Sequence, residues 1–407
     1  MSEEKNSGWE VRQGRKCALG RFGGWSKRFT VLVLGVAALL SCGRDRSEKL
    51  AAANDLKVTM DEFRFRRSFS PYVFRGKTIA EKNLEFTCSL LAEKWMAQEA
   101  RMRGLAEHAR YRAQMEQLHR EFLFEAMYAG DIATRSDPDR AMDELLRTVM
   151  ADKTMHISNA AFAAMEQALA AVLDQKPFIK DSTRTLTEQE ANRFRKTFAD
   201  LQSRSLVRFA NGDEWTVADF LLRLSVGPYP LPSPQSSNFR SALKHSIKKA
   251  AELEYLSRAA HRRGYSRDAD LRMQEEMWSA ALLSQALIQQ QNEQITASED
   301  EIKRHYRSHI SEYTIKKKRV PLDSVKSSIA SLLRQQKARQ WQQQLLQAMQ
   351  NVAWYNQDVL DTLQPAPSVD LVVKRHFPGR MLAPVLLPFA EFIHAAADSA
   401  QKPAFKP

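Results

Sequence analysis

Apolar residues along this chain recur mostly three and four positions apart, the spacing of one helix face, and only a few short stretches alternate. Ala, Leu, Glu, Lys, Arg, Gln and Met fill the long stretches, and only 14 of 407 residues are Gly, so the pattern predicts a mainly α protein. The clearest strand signal is Val207 and Phe209 alternating with polar residues, then Asn211-Gly212, then Trp215 and Val217. Asn-Gly between alternating runs predicts a tight hairpin, because both residues tolerate φ > 0. Thr59 and Thr216 precede acidic first turns, as helix N-caps do. Loops are expected at Pro71 and Pro228, followed by long helices to Arg103 and Arg263 that Gly104 and Gly264 stop. Amphipathic helices follow over about 106–129 and 268–291. Ser298 and Glu301 form a capping box for a helix carrying Ile302, Tyr306 and His309 to near Tyr313. Residues 314–320 read as a basic connector. Pro321 starts a helix with Val325, Ile329, Leu332, Leu333, Trp341, Leu345 and Met349 on one side. The apolar patch at 381–387 fits no predicted element.

The pattern also repeats. Residues 58–63 and 70–72 align with 215–220 and 227–229 at an offset of 157. Residues 95–105 align with 255–265 at an offset of 160, so the second copy carries three extra residues, placed by the alignment in the Pro-rich loop at 228–237. Two copies of one helical module, each with a short hairpin, account for most of the chain.

The first 41 residues change the picture. Seven basic residues precede twelve uncharged ones, FTVLVLGVAALL at 29–40. That run is shorter than the roughly twenty residues a spanning helix needs, and it reads as a secretory leader. Leu39-Leu40-Ser41-Cys42 resembles a bacterial lipobox. The resemblance implies that Cys42 becomes the first residue of the mature chain and carries the lipid, giving stable membrane anchoring. Gly43, where an Asp would favour the inner membrane, implies an outer-membrane location facing the periplasm. Export weakens the nucleic-acid reading of a net charge of +13, and the basic runs at 244–249 and 316–319 lack interleaved aromatics. They read as solvated faces or as lipid headgroup contacts. Of three cysteines, Cys17 leaves with the leader and Cys42 is lipidated, so Cys88 stands alone, at helical spacing with Leu84, Leu91 and Trp95.

Three blocks resemble the SurA / PrsA / PpiD family of exported peptidyl-prolyl isomerase chaperones. They are Thr-x-x-(Asp/Glu)-Phe at 59–63 and 216–220, the Ala-x-x-x-Gly helix end at 95–105 and 255–265, and Ile295-Thr296 with Glu301-Ile302 and Tyr306. The resemblance implies two copies of the family's N-terminal chaperone module and a closing helix. The corresponding division is a leader at 1–41, a first module at 42–150, a helical connector at 151–205, a second module at 206–313, a closing helix at 314–355 and a tail at 356–407. The family's parvulin domain would sit between Tyr313 and Pro321, where only seven residues lie. A domain needs on the order of a hundred residues, so no catalytic residue carries over.

The implied function is an ATP-independent holdase for unfolded exported or outer-membrane proteins, with no cofactor. The alternatives are a scaffold with one fixed envelope partner and an isomerase with a degenerate site. Met and aromatic side chains suit promiscuous binding. They nominate Trp95, Met96, Met102, Met115, Phe122 and Phe124 in the first copy, and Tyr255, Met273, Met277 and Trp278 in the second, as a collective client surface. Each of them, taken singly, reads more readily as core, so the nomination is of the surface as a whole. Glu301, His305 and His309 share one helix face but lack a fourth metal partner.

Overall fold

The computed structural model describes residues 48–68, 76–151, 155–174, 182–315, 318–364 and 386. Residues 1–47, with the expected leader and Cys42, Pro71 and most of the tail lie outside them. The chain opens with β1 (Lys49–Ala53), β2 (Leu56–Thr59) and α1 (Met60–Ser68). Then come α2 (Ile79–Met102), a 3-10 turn, α3 (Ala109–Met127), a π turn and α4 (Pro138–Met150). A middle stretch holds β3 (Met155–Ile157), α5 (Asn159–Leu173), β4 (Thr183–Arg184) and α6 (Glu188–Thr197). The opening series of elements then recurs as β5 (Ser205–Phe209), β6 (Glu214–Thr216), α7 (Val217–Val226), β7 (Leu231–Pro232), α8 (Phe239–Arg262), a 3-10 turn and α9 (Ala269–Gln294). The chain continues with α10 (Glu299–Ser308), β8 (Thr314–Ile315), β9 (Lys318–Arg319), α11 (Leu322–Gln350), β10 (Ala353–Tyr355) and α12 (Gln357–Thr362). The described protein is mainly helical with a few short antiparallel strands.

Local chemistry sets these boundaries. Thr78 with Glu81, Thr216 with Asp219 and Ser298 with Glu301 form reciprocal capping boxes, which satisfy donors that a helix start leaves open. Helices α2 and α8 are both 24 residues long. Gly104 (φ 75°) and Gly264 (φ 89°) follow them in the left-handed region, where L side chains are strained. The hairpin at Asn211-Gly212 forms, but only Gly212 takes φ > 0. The Asn211 carboxamide oxygen accepts from the Asp213 N–H, so a longer loop with a glycine bulge replaces the two-residue turn. Helix α10 stops at Ser308 rather than near Tyr313, and the basic connector is itself the β8–β9 hairpin.

The two series do not pack as separate bodies. One core joins sheet β3-β5-β6 to α5, α6, α7 and α8, with Phe162, Phe194 and Phe220 at its centre. The 151–205 stretch, expected to be a connector, therefore supplies much of this core through its apolar α5 and α6. A second core joins sheet β10-β1-β2 and α2 to Leu283 and Leu287 of α9, Leu346 and Met349 of α11, Leu360 and Leu363. Leu386, from the apolar patch that fitted no predicted element, is buried in it too. A third core packs Phe122 and Phe124 of α3 on Met142 and Leu145 of α4 and on Leu253 and Leu256 of α8. Each series thus lends its second long helix to the other. A small outlying body forms where Ile302 and Tyr306 meet Ile329.

Candidate functional site

Helix α11 is held at two places and bridges the space between them. Ile329 fixes its start to the outlying body, and Leu346 and Met349 fix its end in the second core. Between these anchors its side chains are exposed or only half-buried, and gaps open beside α9. One, an open depression of about 430 Å³, is lined by α9 alone, through Gln285, Ile288, Gln289, Asn292 and Glu293. An adjoining one of about 380 Å³ shares Asn292 and is otherwise lined by Ile295 and, from α11, Ser331, Arg334, Gln335, Ala338, Arg339 and Gln342, so two guanidinium groups border it as well as carboxamides. Lys337 ties α11 to the loop after α9: its ammonium donates to the Thr296 carbonyl at 2.8 Å and to the Glu301 carboxylate at 2.8 Å. Lys337, helped by the Ser298 backbone N–H, holds the Glu301 carboxyl down at about 2.

The chemistry of the groove is mixed. Ile288, Ile295 and Ala338 offer apolar surface. Gln285, Asn292, Gln335 and Gln342 make no side-chain hydrogen bond among the described residues. A carboxamide both donates and accepts, as a peptide group does, so these side chains can pair with an extended backbone whatever its sequence.

The residues nominated from the sequence sit elsewhere. Met96, Phe122, Phe124, Tyr255 and Met277 are buried, between 0% and 4% exposed. For these five the core role replaces the surface one: Met96 lies in the second core, Phe122 and Phe124 in the third, and Tyr255 packs edge-on to Phe209 at 5.5 Å. Trp95, Met115, Met273 and Trp278 are half-buried. Only Met102, 71% exposed at the end of α2, presents its side chain openly. The nominated lipidation residue, Cys42, lies outside the described residues. Cys88 is buried, and desolvation pushes its thiol up to about 12. Glu301 turns to Lys337, while His305 and His309 stack on each other at 4.2 Å. No group of three or more His, Cys, Asp or Glu among the described residues is placed to hold a metal.

Sequence reasoning overlooked the groove because its lining is polar. The available signal was glutamine density: four Gln in 289–294 and eight in 335–350. Carboxamides repeated on two neighbouring helices are a pattern that hydrophobic periodicity does not register. No helix among the described residues is long and apolar enough to cross a membrane. Comparison with known proteins finds no family model that matches the chain, no similar curated protein and no similar solved structure.

Proposed function

We propose that the protein is a SurA-like envelope chaperone that holds unfolded exported proteins, is anchored through a lipidated Cys42, and lacks isomerase chemistry. The observation that carries the reading is the recurring order of elements: hairpin, capped short helix, 24-residue helix, left-handed glycine, 3-10 turn and long helix. It follows the sequence blocks that resemble the family. The β8–β9 hairpin, at the point where the family carries its parvulin domain, leaves no room for one. The groove between α9 and α11 is the client site in this reading, since carboxamides over an apolar floor accept many extended segments. The periplasmic face of the outer membrane is the location that Gly43 after the lipobox favours.

The test uses the chain from Gly43 to Pro407. A chemically unfolded outer-membrane β-barrel protein, and separately an unrelated unfolded protein, are diluted into it and light scattering is followed. Suppression of both at near-stoichiometric ratios is expected, and Ile288→Glu with Ala338→Glu should weaken it severalfold. Absence of suppression by a folded chain overturns the proposal. It would favour a scaffold with one fixed partner, a reading that draws on the small number of exposed large apolar side chains: Ile79, Met102, Leu332, Val352 and Trp354 among the described residues.

A further inference from the structure

Charge on the small body formed by α10, the β8–β9 hairpin and the start of α11 is separated end from end. The first turn of α10 is acidic, with Glu299, Asp300 and Glu301. Lysines of α11 neutralise two of these, Lys326 pairing with Glu299 at 2.5 Å and Lys337 with Glu301 at 2.7 Å. Toward the other end the cations are less engaged, although Lys303, one turn on from Glu299, also helps to hold that carboxyl below its usual range. Lys303, Arg304 and Arg307 are exposed and make no salt bridge among the described residues. At 100° per residue Arg304 and Arg307 turn away from the buried Ile302 and Tyr306, with Lys303 on the flank beside them.

The hairpin adds to the same charge. Lys318 and Arg319 of β9 are exposed. Their strand is pinned to α10, because the Tyr306 hydroxyl donates to the Val320 carbonyl at 2.6 Å and the Val320 N–H donates to the Tyr313 carbonyl at 2.8 Å. In sequence, 303–319 holds seven Lys and Arg against a single acidic residue, Glu312. The other basic run differs: Lys248 and Lys249 both pair with Glu252. The cations of the small body line neither groove cavity. A set of exposed cations without close ion pairs, spread over a helix face and a hairpin, suits a broad polyanionic surface rather than a small ligand.

We propose that this cationic body is a contact surface for anionic phospholipid headgroups of a membrane. Each cation close to an anionic leaflet strengthens partitioning roughly fivefold. A single-stranded nucleic acid is disfavoured, because its bases need free aromatic faces. The rings present here are used internally: His305 stacks on His309, and Tyr306 on Tyr313 at 5.5 Å. The surface acts independently of Cys42, so its test does not depend on the lipid anchor.

The chain from Gly43, which keeps every described residue, is sedimented with vesicles of phosphatidylcholine, alone or mixed with phosphatidylglycerol. Binding is expected only with phosphatidylglycerol, and it should weaken as salt rises. Joint change of Lys303, Arg304, Arg307, Lys318 and Arg319 to Gln should reduce it at least about tenfold. Changing only Lys318 and Arg319 should give a smaller loss, which keeps the test decisive if the fivefold variant misfolds. Lys244, Lys248 and Lys249 changed to Gln should leave binding intact. The proposal is overturned if the parent ignores phosphatidylglycerol, if the variants bind as well as the parent, or if single-stranded RNA is bound more tightly than the anionic vesicles.

Discussion

The sheet β3-β5-β6 and the sheet β10-β1-β2 are built alike, yet their surroundings differ in one respect. Around the first, the fully buried side chains all lie between Ala161 and Tyr255, with Val149, Met150, Met155 and Ile157 packed against them, so its own core draws on one continuous stretch. Around the second, strand β1 pairs with β10 about three hundred residues away, Ala52 facing Trp354, and the core is completed by α9, α11, Leu360 and Leu386. Similar local signals therefore produce similar elements, while the packing partners come from neighbouring chain in one case and from the far end in the other. Contacts distant in sequence carry a loop-closure cost that local ones avoid. The second core should accordingly be the later to form and the first to open.

Truncation gives the largest expected effect on that contrast. A chain ending at Asn351 loses β10 and α12, and hydrogen exchange should show protection collapsing over 84–100 while 161–255 stays protected. Equal protection of both regions would sink the idea that they differ. Next come the ion pairs within each region. Arg66 and Glu93 are almost fully buried and paired in a fork at 3.1 and 3.2 Å. Arg66→Ala strands the carboxylate, with an expected loss of about 3–5 kcal/mol in urea unfolding. Arg184, a quarter exposed, makes the same fork to Glu190 at 2.8 and 2.7 Å. Arg184→Ala should cost only about 1–2 kcal/mol, since the buried Glu190 carboxylate keeps the bonds that the Thr187 N–H and hydroxyl donate at 2.9 and 2.7 Å. The smallest effect tests what the two series share. A Cβ at Gly104 or Gly264 meets nothing within 4 Å, so substitution by Ala costs only the left-handed backbone. Both variants should lose about 1–2 kcal/mol, equally within error, by thermal unfolding.

What could be read from the sequence was whatever a few neighbouring residues decide. The caps at Thr216 and Ser298 and the stops at Gly104 and Gly264 stand where their residue types place them. Helix α11 was expected from Pro321 onward, and Ile329 and Met349 are buried as its pattern demanded, although Leu332 is exposed. Strand β1, Lys-Leu-Ala-Ala-Ala, carries little intrinsic strand preference and exists through its pairing on both sides. Met96, Phe122 and Tyr255 were ambiguous because periodicity identifies an apolar face without saying what covers it. The groove escaped notice for a related reason, since it depends on where α11 is left unsupported between its two anchors.

Cys88 lies beneath β10, beside the Tyr355 side chain, and is the sole cysteine of the chain from residue 43 onward. Its thiol is fully buried and held protonated, so an alkylating reagent meets no thiolate while the strand is seated. The rate of its modification therefore keeps time on the departure of β10, a clock already present in the molecule for the region that both ends of the chain must hold shut.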